Sequence, residues 1–393
     1  MNPEPSSSPD FSLVAGGPTH RIQEKLGLVR PGWIPVLNRA ALSTLVTWFV
    51  LLGLSAAQGL AIGTGVRIPF LYDFAGYARF LIAIPLLILA EGPIEREIDA
   101  AAAHFGRSGL ISEVDRPTYE VALDHANSMR DSTLAEVVLL VLAGVSAILA
   151  RREFPFDFST WRSFVSPSGH TRTLAGWWYL VVGVGLFQFL VWRWLWRLFI
   201  WYRFLRRMAK LELRLIPTHP DRAGGLRFVG DAQRLFSIIV SAFSLTMDGV
   251  LGDEIVYAGV PLASFKFGIA GYVLLVPAIF LLPLTTFAAQ MRRDKRKSLL
   301  DYSAFAVVHN RLFDQKWVQG DNPKGDGPLG APDISSLADL GGASEVLYRM
   351  KPIPFGPADV LVFGLAALIP LIPLGLAVFP AKEILDLIVK VLA

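Results

Sequence analysis

The chain has no cysteine among its 393 residues. That excludes disulfides, thiol catalysis, iron–sulfur clusters and cysteine-bound zinc, so any metal would need histidine and carboxylate ligands. Charge is scarce as well: Asp, Glu, Lys and Arg make up 18% of the residues against 53% apolar ones, and the mean hydropathy is +0.47. So few polar side chains cannot cover a soluble protein of this size. The sequence also lacks a P-loop, a dinucleotide fingerprint, an HExxH helix, and a GxSxG or SxxK nucleophile in a suitable context. It shows no repeat of fixed period and no inverted pair of broken segments.

What the chain does have is seven apolar stretches: Ala40–Ile62, Gly76–Leu89, Thr133–Ala150, Leu174–Ile200, Leu235–Leu251, Phe267–Ala289 and Ala358–Phe379. About 20 helical residues cross the roughly 30 Å of a bilayer core, and several stretches come near that length, although the second, third and fifth are short. Pro85, Pro277, Pro283, Pro370 and Pro373 lie inside these runs and predict kinks. The expected fold is an all-α polytopic transmembrane bundle of about seven spans, with helices two, three and four prolonged into the cytosol.

The expected organisation is an N-terminal arm (1–39), a six-span bundle (40–289) with helical extensions over 91–132 and 201–234, a loop region (290–357), and a final span with a C-terminal helix (358–393). That last helix, Lys382–Leu392, is amphipathic, with Glu383, Asp386 and Lys390 on one face. GDNPKGDGPLGAPD reads as a loop from its Gly and Pro content. DISSLADLGGASEVLYRM reads as a helix with Asp333 as its N-cap.

The net charge of +4 comes from basic residues beside apolar segments, not from a separable domain, so it orients the chain and does not point to nucleic acid. The N-terminal arm, the stretch Arg203, Arg206, Arg207, Lys210 and Arg214, and the run Arg292, Arg293, Lys295, Arg296 and Lys297 fall on one side if every segment crosses. The loop with Arg151, Arg152, Arg162 and Arg172 runs against this rule. With no apolar h-region followed by a cleavage site in the arm, the N-terminus is expected in the cytoplasm and the protein in a bacterial inner membrane.

In the fourth segment, Arg193 and Arg197 share a face amid Trp192, Trp194, Trp196 and Trp201. Tryptophan belts and snorkelling arginines mark a helix leaving the bilayer, so an interfacial anchor is favoured over a charged pathway. Glu136 and Asp248 fall inside apolar stretches, where a charge costs at least about 2.5–3.5 kcal/mol and usually faces a partner or water. Arg130 or Arg193 is the expected partner of Glu136, and Asp248 is expected to reach the outer interface.

The loop THPDRAGGLRFVGDAQR has Gly224 and Gly225 for backbone conformations closed to other residues, with Arg222 and Arg227 as cations and Asp231 placed to cap the next helix. It suits either a phosphate cradle or a tight turn in which Asp221 pairs with Arg222 or a neighbouring arginine, and the turn is favoured. His104, His125, His219 and His309 lack ligand spacing, so neither a metal nor a cofactor is expected.

The blocks RDSTLAE (Arg130–Glu136), HPDRAGGL (His219–Leu226), DISSLADL (Asp333–Leu340) and MKPIPF (Met350–Phe355) resemble those of an uncharacterised family of bacterial polytopic membrane proteins. The resemblance implies a membrane bundle and no particular substrate. In the expected topology all four blocks lie at the cytoplasmic face and converge, with Arg130, Asp131, His219, Asp221 and Arg222 at the centre.

The favoured function is a channel or transporter for a small ion or anionic solute. Arg130, Asp131, Glu136, Arg193, Arg197, His219, Asp221, Arg222 and Arg227 are its candidate binding residues. A pocket lined by Glu136, Arg193 or Arg197 and the HPDRAGG loop is expected to open to the cytoplasm. The alternatives are a membrane enzyme or binding protein for a lipid-linked phosphate, with His219 as acid/base and Arg222 and Arg227 on the phosphate, and a scaffold for a cytoplasmic partner. The expected partners are the lipid bilayer, the solute and, for a pore, further copies of the chain; no catalytic residue is assigned.

Overall fold

The protein is described by a computed structural model covering residues 11–25, 27, 33–150, 157–167, 169–320 and 331–378. It is an all-α bundle. A short helix, α1 (Gly17–Lys25), precedes α2 (Ile34–Ala57) and α3 (Phe74–Arg107). The pair α4 (Arg116–Arg130) and α5 (Thr133–Leu149) is bent by 46°. After a hairpin of β1 (Ser163–Ser166) and β2 (Gly169–Arg172) come α6 (Leu174–Met208), α7 (Arg227–Ala258), α8 (Leu262–Val318), α9 (Pro332–Arg349) and α10 (Pro357–Gly375). Six of these helices are long and apolar enough to cross a membrane, and the bent pair makes up to seven.

The connections alternate between two faces, as crossing spans require. At one face, which we call the hairpin face, Arg67 N donates to Ser159 O (3.0 Å), Trp161 N to Ile68 O (2.9 Å) and the Tyr257 hydroxyl to Tyr72 O (2.7 Å). At the other, Arg214 N donates to Leu110 O, Lys351 N to Arg222 O (both 2.8 Å) and Gln290 Nε2 to Leu213 O (3.0 Å). The N-terminal residues 11–19 cross this second face as a strap.

Small residues let helices approach closely where side chains would hold them apart. Gly249 of α7 lies against Ala78 and the Phe74 carbonyl, Gly183 of α6 against Phe80, and Gly230 against the Pro354 carbonyl. Around these contacts Trp194, Trp201, Phe204, Phe236, Phe280 and Phe363 fill a continuous core. Leu140, Val141 and Ile148 of α5 and Leu274, Leu275 and Ile279 of α8 face outward, the apolar surface that suits lipid.

Several sequence expectations need correction. The fifth span starts at Arg227, so Asp231 lies inside α7 and pairs with Arg227 and Arg234 instead of capping the helix. Asp333 lies one residue inside α9 and bonds Lys316, while Ala331 holds the cap position. The third helix is prolonged by α4 through a 46° bend at Asp131–Ser132, whereas the sixth span runs on for 57 residues with a 3₁₀ segment inside it, about 85 Å at 1.5 Å per residue. A helix this long carries the basic run 292–297 within its own body. Pro283 and Pro370 sit in tightened 3₁₀ turns, Leu282–Phe287 and Ile369–Leu371, which absorb the lost backbone bond. The C-terminal helix Lys382–Leu392, the core of the GDNPKGDGPLGAPD loop, and Arg151 and Arg152 lie outside the described residues.

Candidate functional site

Near the strap face, the apolar run of α3 ends at Ala90 while the helix continues, which carries Glu91 into the bundle with only 2% of its surface exposed. Three arginines from two other helices meet it. Arg197 Nη2 donates to Oε1 (2.9 Å), Arg39 Nη1 to Oε2 (2.7 Å), and Arg193 Nη1 lies 3.9 Å from Oε1. Arg193 and Arg197 share one face of α6 because they are one turn apart. Arg197 is 2% exposed and stacks on Trp194, 4.7 Å from the ring centre.

Each guanidinium carries five N–H donors, so one carboxylate cannot satisfy three of them. Arg197 Nη1 and Arg39 Nε are buried with no hydrogen-bond partner. Two further acids, Glu95 and Glu136, bring the local charge near balance, but their oxygens are engaged elsewhere. Glu95 accepts from the Ser12 hydroxyl and from Leu13 N and Val14 N (both 3.0 Å). Glu136 accepts from Thr19 N (3.0 Å) at the start of α1, where the helix dipole favours an anion. Asp131 accepts from Gly17 N (2.9 Å) and pairs with Arg130, whose Nη1 donates to Ser12 O (3.1 Å). Phe11 packs its ring against Trp201 and Phe204, so the strap is tied down along its length.

Between the strap and the helices is a cleft lined by Arg130, Ser132, Glu136, Arg193, Arg197 and the strap residues Leu13, Val14, Gly16 and Gly17. Its interior of about 30 Å³ holds roughly two waters.

Five of the nine sequence candidates, Arg130, Asp131, Glu136, Arg193 and Arg197, therefore line or border one cleft. Glu136 caps α1 and forms no ion pair with Arg130 or Arg193. Neither Arg193 nor Arg197 snorkels, and three of the four tryptophans bond across helices instead of forming a belt: Trp194 to Leu87 O (3.1 Å), Trp201 to Gln233 Oε1 (2.9 Å) and Trp192 to Ser146 Oγ (3.3 Å). The cleft's outer wall is the strap, not the HPDRAGG loop.

The other four candidates lie in that loop. Asp221 Oδ1 accepts from Ala223 N (2.8 Å) and Gly225 N (3.2 Å), and Oδ2 from Arg227 N (3.1 Å). Burial works against ionisation of Asp221, but these backbone donors and His219, 2.9 Å from Oδ1, hold its carboxyl below the usual range. Gly224 (φ 68°) and Gly225 (φ 94°) take the left-handed conformations expected of them, and Arg222 (φ 55°) joins them. Asp221 thus pairs with backbone and His219, not with an arginine. Arg227 grips Asp359 of α10 through both terminal nitrogens (2.8 and 3.0 Å), with Arg234 on the same carboxylate (2.7 Å). This is a structural clamp, and it engages one of the two cations, Arg222 and Arg227, on which the phosphate reading drew.

The polar contacts of HPDRAGGL run to MKPIPF, those of RDSTLAE to the strap, and those of DISSLADL to α8 through His309–Ser336 (2.9 Å) and Lys316–Asp333. Sequence reasoning passed over Glu91, Arg39, Glu95 and Asp359. The available signal was weak: Glu91 is the first acid after an apolar run, a position equally common on a solvated helix end. Among the described residues, no group of three or more His, Asp or Glu side chains could hold a metal ion.

No family model, curated protein or solved structure matches the chain. The functional reading therefore rests on geometry.

Proposed function

We propose that this protein carries or conducts a small anion across the membrane, with Arg193 and Arg197 as binding groups and the strap as a closed cytoplasmic end. The observation that carries this reading is the buried Arg197 Nη1, which lacks a partner in a cleft where Arg130, Arg193 and Arg197 meet a single acid, Glu136, whose carboxylate is taken up by the start of α1. An unmet buried donor on a charged group costs more than about 1–3 kcal/mol, and an acceptor such as a halide or a small oxyanion relieves it. Arginine rings select anions in pores by the same electrostatics. At 30 Å³ the cleft admits water only, so an ion passes after the strap lifts.

Purified protein in liposomes tests the reading with chloride, nitrate and phosphate gradients. Anion flux should be present, fall at least about tenfold in Arg197→Ala, and be partly retained in Arg197→Lys, which keeps the charge but not the planar fork. Equal flux in correctly inserted Arg197→Ala, or flux of cations alone, would overturn it.

A further inference from the structure

A second charged cluster sits at the hairpin face. α3 begins at Phe74, directly after Asp73, yet Asp73 does not cap its own helix. Asp253, near the end of α7, does so instead: it accepts from Phe74 N (2.9 Å) and Ala75 N (3.4 Å). Asp73 turns to the hairpin loop, where it accepts from Trp161 Nε1 (2.9 Å) and from Arg162 Nη2. The same Nη2 lies 3.6 Å from Asp253 Oδ2, so one nitrogen touches both acids.

The two carboxyl groups meet at this one guanidinium nitrogen and are buried, at 0% and 3% exposure. Trp161 and Phe70 seal them edge to face. The other charged or titratable groups around them are Tyr72, Tyr77, Tyr257 and Glu254, together with Tyr179 of α6, which takes a hydrogen bond from Arg79. Two carboxylates this close in a buried site do not both ionise, and a hydrogen bond between them requires a proton on one.

We propose that Asp73 and Asp253 share a single proton and form a proton-binding site that ties the start of α3 to the end of α7. Burial opposes ionisation of Asp73, but Arg162 and the bonds from Asp253, Arg162 and Trp161 hold its carboxyl below the usual range. The proton therefore belongs to the Asp253 side of the bridge. When the site releases this proton to water, the O–H bond between the acids is lost and two anions face one another where Asp253 holds the first amides of α3. The outer ends of α3 and α7 then repel. The site follows from its own geometry and stands whether or not the arginine cleft passes an ion.

Infrared spectroscopy of the reconstituted protein tests this directly. The carbonyl stretch of a protonated carboxyl group, identified by its shift in heavy water, should be present near neutral pH, disappear on alkaline titration, and be absent from Asp253→Asn. Stability gives a second readout. The folded state holds one proton more than the unfolded chain, so stability falls as pH rises above the unfolded aspartate value of about 3.9, by up to tenfold in the unfolding constant per pH unit. Asp253→Asn should flatten that slope. If this variant fails to fold, Asp253→Glu retains the acid and must move the band in frequency. A wild type without the band, a band unchanged in folded Asp253→Asn or in Asp253→Glu, or parallel pH–stability curves for wild type and Asp253→Asn would overturn the proposal.

Discussion

The two buried charge clusters use the same groups in opposite proportions. At the strap face three arginines meet one carboxylate beside a cleft; at the hairpin face two carboxylates meet one arginine behind Trp161. In the two proposals, an excess of donors is completed by an anion, and an excess of acceptors by a proton. The pairing deficit, more than net charge, shows what each cluster lacks.

The sharpest test of this contrast removes an acid from each. Glu91→Ala removes the one carboxylate that Arg39, Arg193 and Arg197 share and should cost about 3–5 kcal/mol, or prevent folding. Asp253→Asn should cost less than about 1.5 kcal/mol, because an amide supplies the donor and acceptor of a protonated carboxyl group. Chemical unfolding in detergent compares them, and equal losses would break the comparison.

Next in size is Gly176→Ala. A methyl group there would run into the Arg162 carbonyl, so the hairpin loop must move and carry Arg162 away from Asp73. The expected cost is about 1–3 kcal/mol, with the proton-binding site disturbed and the arginine cleft unchanged.

The strap face is sharpened by its lid. Glu95→Gln weakens charge-assisted bonds to Ser12, Leu13 and Val14 worth about 1.5–3 kcal/mol together. Strap opening should then rise about tenfold or more. Because the chain has no cysteine, Ser132→Cys provides a unique thiol in the cleft, and its labelling by an anionic reagent reports opening independently of flux. Unchanged labelling would mean that the strap is not the barrier.

The smallest effect lies outside both clusters. Asp221 has its carboxyl held low, so its contribution is present above the unfolded value of about 3.9 and is lost as pH falls through the lower folded value. The HPDRAGGL turn should loosen in acid, as hydrogen exchange at Ala223 and Gly225 would show. The hairpin pair has the opposite sign, losing stability as pH rises. Matching signs at the two sites would remove the distinction between them.

The left-handed glycines of HPDRAGGL were readable from the sequence because only Gly takes φ near 68° and 94° without strain. The candidate site was partly readable: Arg193, Arg197 and Glu136 stand out as charges inside apolar runs. Their partners did not, and the anchor reading of α6 failed for that reason. A snorkelling arginine and one paired with Glu91 have the same local sequence. Asp231 misled in a similar way, since an acid before an apolar run reads as a cap until the helix is seen to start four residues earlier.

The sequence by itself determined that this is a helical bundle of about seven apolar spans and which connections share a face. Transfer of a residue run into hydrocarbon, and a full set of backbone bonds within it, are properties of one segment at a time. Only the tertiary structure decided which charges meet. Arg39 and Glu91 are 52 residues apart, and Glu91 and Arg197 106, so their pairing depends on how α2, α3 and α6 pack. The same packing gives one face its unmet donors and brings two acids together at the other.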